Sequence, residues 1–212
     1  MSKRDTINIR SHRSLHNTND AGQFMQNLLN QQPNNIIYAL RLLLLIPSMP
    51  AELLNAQWGD IDFNQWHWVI KRPRQNPNTG RWSLPCIAEL SGMAIQCLSA
   101  LHQLNGHQEY LFPDLVQLKK ADRDKQIAQA IQVIWGYYMV DANSFQEFIG
   151  AMAREHGYFE STFIDQAVAN KCKAEPRFSS FNFHKRALAE WWGNELMMKA
   201  SNSIVTQFNC NV

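Results

Sequence analysis

The chain has 212 residues, enough for one large domain or two small ones with a sizeable core. Hydrophobic residues make up 45% of it and charged residues 18%, a globular composition that excludes a chain unable to fold. The chain has 20 lysines and arginines against 18 aspartates and glutamates, a formal charge of +2. This is below the excess that marks a strongly basic nucleic-acid binder, so the bulk charge does not reveal a partner.

Two features bear on the cellular compartment. No two of the cysteines form a C-x-x-C pair, so we expect reduced thiols rather than a zinc site or a disulfide framework. They are Cys86, Cys97, Cys172 and Cys210. The N-terminus carries no apolar signal sequence, and the longest aliphatic run, Leu42 to Ile46, is too short to span a bilayer. The sequence therefore predicts a cytoplasmic protein with no membrane contact, no cofactor and no metal.

Helical patterning follows a polar start. Residues 1–20 are polar and slightly basic, and we interpret them as a basic N-terminal arm. From Ala21, two apolar runs of helical period on either side of Pro33 predict two core helices. Pro47 and Pro50 are expected to end the second helix, and a short turn of helix is predicted over 51–57.

Between Ile61 and Pro85 the hydrophobic residues no longer follow a helical period. Aromatic and β-branched residues bracket the turn-rich stretch 73–80, which predicts a short antiparallel sheet with a long hairpin loop. Helical patterning then returns, and residues 201–212 are interpreted as a C-terminal tail. The later helices are predicted over 91–104, 126–138, 144–156 and about 183–198. The predicted fold class is mainly α with a small antiparallel β-sheet, an α+β domain over 21–200.

Seven short segments occur in a fixed order. They are 49–53 (MPAEL), 58–62 (WGDID), 83–85 (SLP), 111–113 (LFP), 143–146 (NSFQ), 164–170 (IDQAVAN) and 185–192 (KRALAEWW). In this order they resemble the R-P-x-E-L turn, the W-x-x-I-D start of the sheet, the hairpin end, the L-F-P link, the H-G-F-R helix, the L-A-H turn and the R-R-x-x-x-x-W-W ending of the tyrosine recombinases, the phage integrase family. The resemblance covers residues 14–196. It implies that family's catalytic-domain fold, without the arm-binding and core-binding domains that precede it.

The resemblance also implies a catalytic set that this sequence lacks. The family uses a tyrosine nucleophile, two arginines on the phosphate, a lysine and histidines. The matching positions hold Met49, Asn143, Gln146, Asn170 and Phe178, and Ser179 or Ser180 could also fall on the tyrosine position. A transition-state arginine is worth about 10³–10⁵ in rate, so we expect no enzyme activity by this route. We expect Met49 to be buried, filling the space of the lost arginine.

Basic residues gather in two groups, which we name the hairpin cluster and the C-terminal cluster. They are Lys71, Arg72, Arg74 and Arg81, and Lys171, Lys173, Arg177, Lys185 and Arg186, respectively. For the hairpin cluster we favour DNA contact over a charged strand edge. The C-terminal cluster would fit a phosphate-facing wall, although Lys185 and Arg186 could equally cover the outside of the last helix. Lysines and Arg123 over 119–125 are interrupted by Asp122 and Asp124, which favours a solvated helix face there.

The sequence therefore predicts a non-catalytic, sequence-specific protein that binds double-stranded DNA. As a transcriptional regulator it would belong to a mobile element, such as a conjugative plasmid or an integrative element. Two alternatives stay open: a modulator of integration that acts through DNA or a full-length integrase, and a recombinase with a relocated nucleophile at Ser179 or Ser180. The tail 201–212 could also mediate a homodimer.

Overall fold

The computed structural model describes residues 15–71, 86–135, 142, 144–157, 159–168 and 179–209, and this part of the chain forms nine α-helices, one 3-10 helix (Trp58–Asp60) and a three-stranded sheet. The helices are α1 (Thr18–Leu29), α2 (Asn35–Leu45), α3 (Pro50–Leu53), α4 (Gly92–Asn105), α5 (Pro113–Val116), α6 (Lys120–Trp135), α7 (Ser144–His156), α8 (Ser161–Val168) and α9 (Ser179–Asn209). The strands are β1 (Ile61–Asp62), β2 (His67–Ile70) and β3 (Cys86–Glu89), antiparallel in the order β1-β2-β3. The predicted class, mainly helical with a small antiparallel sheet, is confirmed.

Asparagine caps begin the first two helices. The side chain of Asn17 accepts a hydrogen bond from the backbone N–H of Asp20, and that of Asn34 accepts one from Ile37. Each cap satisfies a donor that a helix start leaves unpaired. Eight of the 11 residues of α2 are buried, so this helix forms the centre of the core.

The sheet turns one face to that core. Trp68 and Ile70 of β2 are buried, and they stand opposite Ala88 and Cys86 of β3, which are buried as well. The prediction confined the sheet to 61–85, whereas β3 begins after Pro85. A four-residue strand with one β-branched residue is too short to show a clear period before the helical pattern of α4 takes over.

Helix α9 has 31 residues and is about 46 Å long. It packs against α1, α2, α4, α7 and β3. The Trp192 side chain is buried, and its Nε1–H donates to the Leu44 carbonyl at 2.7 Å. Gly22 of α1 faces the backbone of Lys199 and Ala200, so α1 and α9 approach to backbone contact. Neither α9 nor any other described helix is long and apolar enough to cross a bilayer.

Two boundaries near the N-terminus differ from the predictions. Helix α1 begins at Thr18, inside the segment 1–20 that was interpreted as an arm, because Asn17 supplies a cap that an apolar period does not reveal. Pro50 does more than end α2, since it is the first residue of α3. Proline suits that position because the first helical N–H has no partner within the helix.

Later helices extend beyond their apolar stripes. α6 begins at Lys120, six residues before its prediction, and α9 runs to Asn209, through most of the segment interpreted as a polar tail. The short helices α5 and α8 were not predicted at all. Once a helix is nucleated, each further residue adds a backbone hydrogen bond, so polar ends can continue it without a periodic pattern.

Two cysteines lie among the described residues, and they differ. Cys86 is disulfide-bonded, so the expectation of four reduced thiols is wrong at this position. Cys97 on α4 is a free thiol. Burial raises the pKa of Cys97 from 9.0 to about 12, and the nearby Arg41 guanidinium offsets part of that rise.

Cys97 is therefore expected to resist thiol reagents in the folded protein. At pH 8 a pKa of about 12 leaves a thiolate fraction of about 10⁻⁴, roughly a thousandfold below that of an ordinary thiol, and only the thiolate reacts. Without denaturant, the parent protein and Cys97→Ala should be labelled by a thiol reagent at the same rate. In urea, the parent protein should show one more reactive thiol than Cys97→Ala. Fast labelling of Cys97 without denaturant would contradict the prediction.

Candidate nucleic-acid interface

The predicted interface is only partly within the described residues. Lys71, Lys185 and Arg186 of the two basic clusters are described, as are Met49 and Gln146 of the vacated catalytic positions. The other predicted positions lie outside: Arg72, Arg74, Arg81, Lys171, Lys173, Arg177, Asn143, Asn170 and Phe178.

Met49 sits on the surface at the start of α3. Its side chain is 45% exposed, so the expectation that it fills a buried space is wrong. Its backbone N–H donates to Glu52 Oε2 at 3.1 Å, and Pro50 follows it, which fixes a tight helical start with the Met49 side chain facing outward. Gln146 is partly buried in the first turn of α7. A thioether and a neutral amide can hold no phosphate by charge.

Lys71 directly follows β2 and is tied to the segment that precedes β1. Its Nζ lies 2.5 Å from Asp60 Oδ1 and donates to Gln57 Oε1 at 3.4 Å. Gln57 in turn donates to Glu109 at 2.7 Å. The Lys71 side chain is 62% exposed, whereas that of Asp60 is 8% exposed. The lysine therefore reaches solvent while its charge neutralises a buried carboxylate.

Lys185 points inward from α9. It is 8% exposed, and its Nζ donates to the Ile87 carbonyl at 3.2 Å. Contact of Lys185 with a phosphate stays a prediction, whereas the interpretation that it covers the outside of the last helix is wrong, because the side chain is buried. The reason is that α9 packs on β3, and a lysine on that side of the helix must satisfy its ammonium group from the strand backbone.

Arg186 fastens α9 to the sheet. It forms an ion pair with Glu89, the last residue of β3, at 2.5 Å, and it donates to the backbone carbonyls of Gln65 and Trp66. Its guanidinium lies 5.9 Å from the centre of the Trp66 ring. Trp66 has φ 55°, a left-handed conformation that bulky residues rarely adopt, so these bonds hold a strained turn.

Two ion pairs thus brace the sheet whose strands β2 and β3 flank the hairpin cluster in the sequence. Lys71 is paired with Asp60 and Arg186 with Glu89, and both carboxylates are less than a tenth exposed. A phosphate that took either cation away would leave a buried carboxylate unpaired, which is costly. The described geometry therefore favours a supporting role for these two cations.

Sequence reasoning misplaced one cation. Arg123 was assigned to a solvated helix face, yet it is 8% exposed. The alternating charges around it drew attention away from the spacing Arg123, Ile127, Ile131 and Trp135, which are the buried residues of α6. Residues four apart share a helix face, so this spacing could have placed Arg123 on the buried side.

Comparisons with known proteins point to integrases. "Prophage integrase IntA" of Escherichia coli strain K12 is 26% identical over 166 residues, which are 76% of this chain and 39% of that protein. "Integrase" of Enterobacteria phage P4 is 24% identical over 181 residues, which are 78% of this chain and 41% of that protein. No protein-family model matches the chain, and no solved structure does. The chain is thus similar to two integrases over most of its length, and it spans about two fifths of theirs.

Proposed function

We propose that this chain has the tyrosine-recombinase catalytic fold, binds double-stranded DNA in a sequence-specific way without cleaving it, and regulates transcription on a mobile element. The observation that carries the proposal is the similarity to two integrases across about three quarters of the chain. The order of elements supports it, since the proline-started turn α3, the sheet and the helices that follow occur where the motif resemblance expects them.

The non-catalytic part of the proposal stems from the vacated positions. Met49 stands where the resemblance expects the first phosphate-binding arginine, and Gln146 where it expects the second. Losing one such arginine costs about 10³–10⁵ in phosphoryl-transfer rate, and both are replaced along with the tyrosine. Binding and not chemistry is then the activity left to the scaffold.

DNA contact is assigned to the hairpin cluster. Arg72, Arg74 and Arg81 lie between β2 and β3 in the sequence, and Arg72 directly follows Lys71. The Lys71–Asp60 pair fixes the chain at the root of this segment, so the arginines that follow start from an anchored point. Phosphate contacts would position the protein, and base edges read by this segment would give specificity.

An electrophoretic shift assay with duplexes from the chain's own genetic neighbourhood tests the proposal. We expect binding at low salt, with a log–log salt slope of about −0.9 for each phosphate neutralised. Arg72→Ala/Arg74→Ala should flatten the slope by up to about 1.8 while leaving the fold intact. The matched control is Lys125→Ala/Arg154→Ala, which removes two exposed cations from α6 and α7 and should bind like the parent. No binding to any duplex at low salt would overturn the proposal.

A second experiment distinguishes a DNA-binding protein from a recombinase with a relocated nucleophile. The protein is incubated with supercoiled and nicked DNA, and the products are analysed by denaturing electrophoresis. We expect no covalent protein–DNA adduct. An adduct that disappears in Ser179→Ala or Ser180→Ala would replace the non-catalytic proposal with the enzymatic one.

A further inference from the structure

Cys86, the first residue of β3, is disulfide-bonded, and the cysteine that it pairs with can be identified. The chain has three other cysteines, Cys97, Cys172 and Cys210. Cys97 is a free thiol, which removes it from the choice. The partner of Cys86 is therefore Cys172 or Cys210.

The course of α9 excludes Cys210. This helix meets β3 near its own start, where Lys185 Nζ donates to the carbonyl of Ile87, the residue after Cys86. From Lys185 to Asn209 the helix continues for about 36 Å. A lysine side chain and one residue of strand cover less than half of that distance, so Cys210 stays more than about 15 Å from Cys86. The Cα atoms of a disulfide are at most about 7 Å apart.

Cys172 is within reach of Cys86. Ala167, near the end of α8, lines a small cavity together with Ala88 of β3, so these two residues are neighbours in space. The chain from Ala167 to Cys172 can span up to about 17 Å. Along β3, Cys86 lies about 7 Å from Ala88. The connection that leaves α8 is therefore long enough to bring Cys172 to the start of β3.

A bond between these cysteines would bring the two basic clusters together. In the sequence, a lysine of the C-terminal cluster stands on each side of Cys172. Cys86 lies opposite Ile70 of β2, the residue before Lys71 of the hairpin cluster. The bond would thus place cations of both clusters at one end of the sheet. Cations gathered in one place attract phosphates more strongly than the same cations apart.

We propose that Cys86 and Cys172 form a reversible disulfide, and that this bond assembles the hairpin cluster and the C-terminal cluster into one phosphate-binding surface. The pairing does not depend on the proposed function, whereas the role of the bond in DNA binding rests on it. Affinity for DNA then follows the oxidation state of the two thiols.

Burial of the Cys86 side chain, which is 1% exposed, sets the order of the thiol–disulfide exchange. In oxidation, the Cys172 thiolate attacks oxidised glutathione and releases one glutathione. The Cys86 thiolate then attacks the Cys172 sulfur of this mixed disulfide and releases the second glutathione. The two cysteines lose two electrons, and their two protons pass to the glutathione thiolates. A dithiol such as dithiothreitol reverses both steps and is itself oxidised to a disulfide.

Peptide mapping tests the pairing without DNA. The full chain is treated with oxidised glutathione, its free thiols are alkylated in urea, and it is cleaved after glutamate, which places the four cysteines on separate peptides. We expect the peptide of Cys86 to be linked to that of Cys172, and the peptides of Cys97 and Cys210 to be alkylated. A link from Cys86 to any other peptide, or no link, would overturn the pairing.

DNA binding tests the joined surface. If the parent binds DNA, dithiothreitol should flatten its log–log salt slope by up to about 1.8, because the two lysines beside Cys172 are released from the sheet. Cys172→Ser should show the flatter slope with and without dithiothreitol. Cys210→Ser is the matched control and should respond to dithiothreitol as the parent does. Cys86→Ser breaks the same bond and replaces Cys172→Ser if that variant does not fold.

The outcomes separate this inference from the proposed function. Equal salt slopes for the oxidised and the reduced parent would overturn the joined surface, while the proposed function stands. A parent chain that binds no duplex in either state would remove both the proposed function and the joined surface, and the mapped pairing would stand alone.

Discussion

Replacing Gly22 by valine is expected to detach α1 from α9 and to unfold much of the chain. A Cβ at this position would lie 2.4 Å from Lys199 Cβ, 2.7 Å from the Lys199 carbonyl carbon and 2.9 Å from the Ala200 nitrogen. These are backbone and near-backbone atoms, which cannot rotate away as a side-chain tip can. Overpacking a core costs about 1–3 kcal/mol when neighbours can adjust, so we expect more than about 3 kcal/mol here.

Urea denaturation followed by tryptophan fluorescence measures the loss. Gly22→Ala should destabilise in the same direction by less, even though alanine is the better helix former by about 1 kcal/mol. Gly59→Ala is the matched control, because nothing lies within 4 Å of a Cβ built there. Equal stability of Gly22→Ala and the parent would show that α1 and α9 can separate freely at this point.

The elements that sequence reasoning located best are those with a clear apolar period. α2 carries a buried stripe on the side of Pro33 where a core helix was predicted, and α7 was predicted at the bounds it has, Ser144–His156. β3 and the end of α9 have no comparable local signal. The first is held by pairing with β2, and the second continues a helix that tertiary contacts have already formed.

The candidate site was harder to predict, because burial of a charged side chain depends on its distant partners. Lys185 and Arg186 are adjacent on α9, and both face structure that lies about a hundred residues earlier in the chain: Ile87 and Glu89 are 98 and 97 positions away. The local sequence pattern shows only two cations in a basic cluster. It does not show that both contact strand β3. The resemblance to a family gave the positions of the motifs. It did not tell which of these cations form ion pairs within the chain.

Arg186→Met is expected to lower the free energy of unfolding by about 3 kcal/mol. The substitution leaves the Glu89 side chain, 7% exposed, as a buried carboxylate without its cation, and breaking a buried pair from one side costs about 3–5 kcal/mol. Partial exposure of Arg186 itself, 37%, places the expected value at the lower end. Urea denaturation of the single variants and of Arg186→Met/Glu89→Met measures it, and the double variant should recover most of the loss.

The same double variant decides what Arg186 does on DNA. If the arginine only fastens α9 to the sheet, restoring stability with Arg186→Met/Glu89→Met should restore affinity and the parental salt slope. If it also contacts a phosphate, the double variant should stay weaker, with the log–log slope flatter by about 0.9. Because Glu89, the Gln65 carbonyl and the Trp66 carbonyl already accept its bonds, we expect the first result. A flatter slope in a fully stable double variant would contradict the supporting role and return Arg186 to the DNA-binding surface.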